Sequence, residues 1–262
     1  MSSALFIAAS GMTAQQFNSE LIADNFANMS TVGKKRKRAT FQDQVYQQDT
    51  RPGTPSSDKG NLMPAGIQRG GGVKIASTYR VNEQGAPDST GNAYDMMIQG
   101  DGYFSILLPD KTIAYTRAGN FNLSNDGTIV TLEGYTVLPG LKIPVGTQMN
   151  VNPNGDISVR VDGQTSEQLV GSLEISRFTN EGGLMEIGQN LLKETESSGP
   201  AQTGIAGVNG YGTILQYYLE ASNVNPIQEV VTLIKTQRGF DMNSKVVEAA
   251  DEMLSTTVRM VT

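Results

Sequence analysis

Residues 225–262 read NPIQEVVTLIKTQRGFDMNSKVVEAADEMLSTTVRMVT, and this stretch fixes the character of the C-terminal end. Asn225 is a good helix N-cap, because its short side-chain oxygen can accept from the unpaired amides of the first turn. Pro226 follows at the first helical position, where its missing N–H costs nothing. No further proline interrupts the run. Leu233, Phe240, Val247, Leu254 and Val261 recur every seventh residue. Val230 and Val258 join them from the companion position, where Gln237, Ser244 and Asp251 are polar. A sustained seven-residue period predicts a long helix that packs as in a coiled coil, more than a helix lying on a globular surface.

The other end carries a matching pattern. Between Ser3 and Met29 there is no proline, and Leu5, Ala8, Met12, Ile22, Phe26 and Met29 form one apolar stripe, interrupted by Gln15 and Ser19. Three- and four-residue spacing predicts a helix. Gly11 is its soft point, at about 1 kcal/mol against alanine.

Between the helices the period changes. Short β-prone runs at 73–81, 96–108, 113–116, 120–123, 127–138, 156–161 and 169–178 are punctuated by Asp101-Gly102, Asp126-Gly127, Asn154-Gly155 and Asp162-Gly163. Such pairs between apolar runs are strong hairpin signals. The expectation is an α+β chain with three parts. Residues 1–32 and 222–262 form a discontinuous layer of paired, coiled-coil-like terminal helices. Residues 73–196 form a central antiparallel β domain. Residues 33–72 and 197–221, rich in Gly, Ser and Pro, join them as extended linkers. Neither helix can bury its stripe against a β domain reached through such linkers. Both are expected to pair with each other and with neighbouring copies, and to become ordered on assembly.

Composition removes most chemistry. The 262 residues include no cysteine and no histidine. That excludes a thiol nucleophile, a thiolate or imidazole metal site, and a Ser-His-Asp triad. No metal, cofactor or catalytic residue is expected. The carboxylates of Asp95, Asp101 and Asp126 could be read as a glycosidase pair, but aspartate before glycine ordinarily supplies turn geometry. Gly70-Gly71-Gly72 lacks the Gly-Lys-Ser/Thr continuation of a phosphate loop. The net charge of −6 disfavours nucleic acid. The run Lys34-Lys35-Arg36-Lys37-Arg38 is therefore read as a solvated or inter-subunit charge cluster. No apolar stretch of about twenty residues could span a membrane, and the first residues lack the basic start of a cleavable leader. Asn25, Asn28, Asn223 and Asn225 read equally well as local caps or as bonds between helix ends.

Several stretches resemble a known family. Ser10-Gly11-Met12 and Ile22 to Gly33 (IADNFANMSTVG) are similar to the N-terminal signature of bacterial flagellar rod and hook proteins, with Lys34 standing where the family carries an aromatic before its lysine, here Lys35. Glu220-Ala221-Ser222-Asn223-Val224-Asn225, followed by Glu229, Gln237-Arg238 and Phe240, resembles the C-terminal signature. Ile98 to Phe104 (IQGDGYF) and Tyr115 to Phe121 (YTRAGNF) resemble the shared β domain.

The resemblance implies a structural subunit that polymerises into a tube, with the terminal helices lining the channel and the β domain outside. The assembly residues would be Leu5, Met12, Ile22, Phe26, Met29, Val230, Leu233, Phe240, Val247 and Leu254. The stretch 46–66, with Tyr46, Arg51, Pro52, Gly53, Pro55, Pro64 and Gly66, looks like the extra segment that marks a straight, stiff rod member. Implied partners are further copies of the chain, proximal rod proteins, the hook protein, periplasmic and outer-membrane ring proteins and the flagellar type III export apparatus, and no nucleic acid. A hook or proximal rod paralogue, or a secreted β-rich adhesin, are the competing readings.

Overall fold

The computed structural model describes residues 3–53, 65–144, 147–160 and 167–261. They fall into two compact units, each assembled from separate stretches of chain.

The first unit takes the chain up to Ala27, then Lys37–Tyr79, then everything from Asn225 onward. It holds helices α1 (Ser3–Ala27) and α2 (Pro226–Val261). Asn225 caps α2 as its sequence suggests: its Oδ1 accepts from the amides of Ile227 at 3.1 Å and Gln228 at 3.3 Å. The helices run antiparallel, for Asn18 on α1 donates to Thr236 on α2 at 2.8 Å, and Asn25 donates to Glu229 at 3.3 Å. The unit also carries a two-stranded ribbon, Lys37–Asp43 with Val73–Arg80, and a shorter pair, Gln47–Thr50 with Ile67–Arg69. Val73 therefore does not open the β domain. Its strand pairs with the segment just after α1, a long-range pairing that local pattern cannot reveal.

The second unit contains 28–36 and 80–224 in their described parts. Its largest sheet has nine strands among the described residues. Tyr103–Leu107 pairs antiparallel with Ile113–Thr116 along most of its length, and also with Glu174–Arg177 at its start and Thr136–Val137 at its end. Three strands, Gln148–Val151, Asp156–Arg160 and Gln168–Ser172, make a separate antiparallel sheet. The core is aliphatic with two rings at its centre, Phe104 and Phe121, edge to face at 5.1 Å. Ile98, Ile106, Ile129, Ile157, Ile175 and Ile214 are buried with them. Each such side chain contributes about 1.5–3 kcal/mol by leaving water.

The turn signals are honoured at Asp126-Gly127 and Asn154-Gly155, where both glycines take positive φ between paired strands. Asp162-Gly163 lies outside the described residues. The run 96–108 is two strands, Met96–Gln99 and Tyr103–Leu107, which pair with different partners. Gly102, at φ +145°, makes the break, and a Cβ there would stand 2.1 Å from the Ile175 side chain. The expected linker 197–221 also differs from expectation. Gln202–Ile205, Thr213–Gln216 and Tyr218–Glu220 are strands, paired with Glu174–Arg177, Met96–Gln99 and Pro87–Ser89 respectively. Glycine and serine there permit close approach between strands as well as flexibility.

Candidate assembly surface

The seam between α1 and α2 combines part of the apolar stripe that the seven-residue period picks out with polar and small residues. The α2 residues buried in it are Glu229, Thr236 and Ala250. Gly11 on α1 faces Asn243 on α2, and Gly239 on α2 faces Gln15 on α1; a Cβ at Gly11 would stand 2.9 Å from the Asn243 amide, and one at Gly239 3.2 Å from the Gln15 side chain. Each helix thus sets a glycine against the other's carboxamide. Polar groups at such positions fix register at some cost in stability.

The sequence-predicted assembly residues divide accordingly. Ile22 is buried, and Leu5, Met12, Leu233 and Val247 are half-buried along the seam. Phe26, Met29, Val230, Phe240 and Leu254 remain exposed. Continuing the antiparallel pairing places Ser3 near Asp251, so Leu254 lies on the seam side of α2 but past the described end of α1. Sequence reasoning missed a further stripe. Ile227, Val231, Ile234, Met242, Met253 and Met260 are all exposed, and at 100° per residue they gather on the side of α2 opposite the seam. The signal was present as a second 3.6-residue period laid over the heptad, with Lys235, Arg238 and Lys245 interspersed.

Of the segment 46–66, the described part starts with Tyr46, which is exposed, as are Arg51, Pro52 and Gly53. Gln47–Thr50 and Ile67–Arg69 pair across its two ends, helped by Arg69 donating to Asp49 at 2.8 Å. Gly66 sits where a Cβ would strike the Thr50 carbonyl oxygen at 2.3 Å. Pro55 and Pro64 lie outside the described residues.

Inside the second unit is a cluster of three charges. Lys35, Arg117 and Glu220 are each buried to nine-tenths or more. The Lys35 ammonium donates to Glu220 Oε1 at 2.5 Å and to the Glu83 carbonyl at 2.8 Å. Arg117 Nε stands 3.1 Å from Glu220 Oε2, and its Nη1 donates to the Gly100 and Gly102 carbonyls at 2.8 and 2.6 Å. Glu220 Oε1 also accepts from the Gly85 amide at 3.0 Å. Burial holds the Lys35 ammonium below the ordinary lysine value; the Glu220 carboxylate opposes that shift and Arg117 adds to it. The basic run is therefore not a solvated cluster. Lys35 and Arg36 are buried, Lys34 lies 3.7 Å from Glu186, and Lys37 lies 3.8 Å from Asp24.

The asparagines serve both roles that the sequence left open. Asn225 caps α2. Asn25 is buried, accepts from the Lys37 amide at 2.8 Å and donates to the Lys37 carbonyl at 2.9 Å. Asn223 accepts from the Arg36 amide at 2.7 Å and donates to the carbonyls of Val81 at 2.7 Å and Glu83 at 3.0 Å. The aspartates considered for carboxylate chemistry hold structure instead. Asp95 accepts from Asn92 at 3.1 Å, and Asp101 lies 3.8 Å from Arg177. Among the described residues no group of three acidic, histidine or cysteine side chains could hold a metal, and no helix is long and apolar enough to cross a membrane.

Comparison with known proteins agrees with this geometry at three places. Residues 5–35 match the family described as flagella basal body rod protein, 97–159 the flagellar hook protein FlgE/F/G D1 domain, and 215–260 the flagellar basal body rod FlgEFG protein C-terminal region. The chain is 50% identical over 258 residues, 98% of each chain, to the flagellar basal-body rod protein FlgG of Caulobacter vibrioides. It is 45% identical, over 97% of each chain, to the protein of that name from Borreliella burgdorferi. Against the flagellar basal-body rod protein FlgF of Mesorhizobium japonicum the identity is 30%, over 98% of each chain.

Proposed function

The chain belongs to the flagellar basal-body rod protein family, and we propose that it is the repeating subunit of the distal rod, a straight, stiff tube that carries motor torque to the hook. It is a structural protein, as its relatives are, and not an enzyme. The observation that carries the reading is the placement of apolar side chains on α1 and α2. Their shared seam mixes polar and small residues with Ile22, Leu233 and Val247, while Phe6, Phe26, Val231, Ile234, Phe240 and Met242 stay exposed. A lone molecule leaves this surface wet. Copies packed side by side would cover it, at about 25 cal/mol per Å² of apolar area removed from water. Contacts that repeat head to tail instead of closing generate open helical polymers.

On this reading the paired helices form the coiled-coil-like inner wall around the export channel. Neighbouring partners would be the proximal rod, the hook protein, the surrounding periplasmic and outer-membrane rings, and the type III export apparatus. The greater identity to FlgG than to FlgF supports the distal over the proximal position. Segment 46–66 would stiffen the tube by reaching a neighbour and blocking the sliding that curvature requires.

Electron microscopy of polymer grown from purified chain tests both parts. Straight tubes are expected from the full chain and curved or bendable tubes after deletion of 46–66. Small closed oligomers would sink the rod reading. Straight tubes from the deletion variant would sink the role given to the segment.

A further inference from the structure

Three of the stretches that carried the family resemblance lie far apart in the chain: Thr31 to Lys35, Tyr115 to Phe121, and Glu220 to Asn225. In the folded second unit each supplies one member of the buried charge cluster, Lys35, Arg117 and Glu220. The first lies just after α1 and the last just before α2, 185 residues apart.

We propose that the Lys35–Glu220–Arg117 cluster is an end-matching lock: it fastens the segment leaving α1 to the segment entering α2, and makes assembly conditional on both ends of the chain being in place. This rests on the rod reading above.

The geometry argues it in steps. The segment 28–36 has little apolar side chain to bury and is held by polar contacts instead. The Gly33 amide donates to the Glu220 carbonyl at 2.8 Å, the Arg36 amide to Asn223 Oδ1 at 2.7 Å, and Arg36 accepts from the Val81 amide at 2.8 Å. Gly33 has φ +69°, and a Cβ there would lie 2.8 Å from the backbone at Arg117 and Ala118, so the segment lies directly against the third partner's strand end. Two of these contacts, and the Lys35–Glu220 pair as well, depend on residues 220–223. Before Glu220 arrives, seating Lys35 would bring two cations together in a dry site with no anion between them. Like charges strongly oppose each other in such surroundings. The N-terminal segment therefore cannot seat early. Once Glu220 is present, one carboxylate joins both cations, and the segments 28–36 and 220–224 are held by the same side chain.

The test uses the full chain with Lys35→Met, which leaves the Arg117–Glu220 pair balanced and the apolar core untouched. Hydrogen exchange should quicken by roughly tenfold or more at the Gly33 and Arg36 amides, as expected for loss of a charged hydrogen bond. The Ile106 and Ile157 amides should keep their wild-type protection. Sedimentation of polymer should show the variant assembling only at higher concentration. Glu220→Gln, which leaves two cations uncompensated, should be worse on both counts. Wild-type exchange at Gly33 and Arg36 in Lys35→Met would overturn the lock. A loosened segment with wild-type polymerisation would overturn its link to assembly, and a Glu220→Gln chain milder than Lys35→Met would overturn its electrostatic basis. Should the wild-type chain form no polymer at all, the rod reading fails and the exchange comparison still decides whether the lock exists.

Discussion

The two units of this protein bury opposite things. In the β unit the interior is Phe104, Phe121 and a set of isoleucines, and buried charge includes the Lys35–Glu220–Arg117 cluster, in which one carboxylate serves two cations. In the helical unit the surface between α1 and α2 is lined by Glu229, Thr236, Asn243 and glycines, while much of the larger apolar material looks outward. One unit completes its core from its own chain. The other uses its own contacts to set register and leaves much of its apolar side-chain surface exposed.

That contrast can be broken most forcefully in the β core. Phe104→Ala should destabilise the β unit by about 3–5 kcal/mol, since it removes a fully buried ring and leaves a cavity. A denaturant melt followed by a β-sensitive probe measures it; a loss below about 1 kcal/mol would mean that the unit is loosely packed.

Alkaline pH gives a smaller and more selective effect. Burial, reinforced by the nearby Glu194 carboxylate, pushes the Tyr115 phenol up to about 12. Burial likewise raises the Tyr103 phenol, with Glu181 adding to it. Unfolded tyrosine ionises near 10. The folded phenols stay protonated above that point, so their contribution is whole below pH 10 and drains away as pH climbs through 12. The stability of Tyr115→Phe should therefore fall less steeply than wild type between pH 10 and 12. Parallel slopes would contradict the burial of this ring, which packs edge to face on Phe178 at 4.7 Å beside Tyr103, Leu184 and Leu192.

The smallest effect on the monomer belongs to the outer face of α2. A Val231→Ser, Ile234→Ser, Met242→Ser triple variant should shift monomer stability by no more than about 0.5 kcal/mol per site. It should nevertheless abolish or greatly weaken polymer formation. A triple variant that melts early but still polymerises would reverse the roles assigned to the two surfaces. Dilute monomer sharpens the same point: fast hydrogen exchange from Leu5 to Met29 is expected before assembly, and slow exchange there would show that the helical unit is already complete.

Much of this was legible in the residues. Asn225-Pro226 and the uninterrupted run after it announce α2, because capping and proline geometry are local effects. Asp126-Gly127 and Asn154-Gly155 announce their hairpins for the same reason. The strand Val73–Arg80 misled, since its pattern shows that it is extended but not which partner it will find. The stretch 197–221 misled because small residues suit both a flexible joint and a tightly packed strand. In α2 the heptad was real but incomplete as a guide. Phe240 and Leu254 obey the period, yet the residues that meet α1 include Thr236 and Asn243, which apolar counting passes over.

The sequence by itself determined that this is an α+β chain with helical ends, that thiol and imidazole chemistry are closed to it, and that it resembles the rod and hook family. Each of these follows from residue type, short-range periodicity or motif order. Only the tertiary structure decided that Lys35, Arg117 and Glu220 meet, that the basic run is partly buried, and which side of each helix stays exposed. Those outcomes depend on contacts across nearly two hundred residues, where the cost of burying charge and the geometry of packing choose among arrangements that local sequence leaves equal.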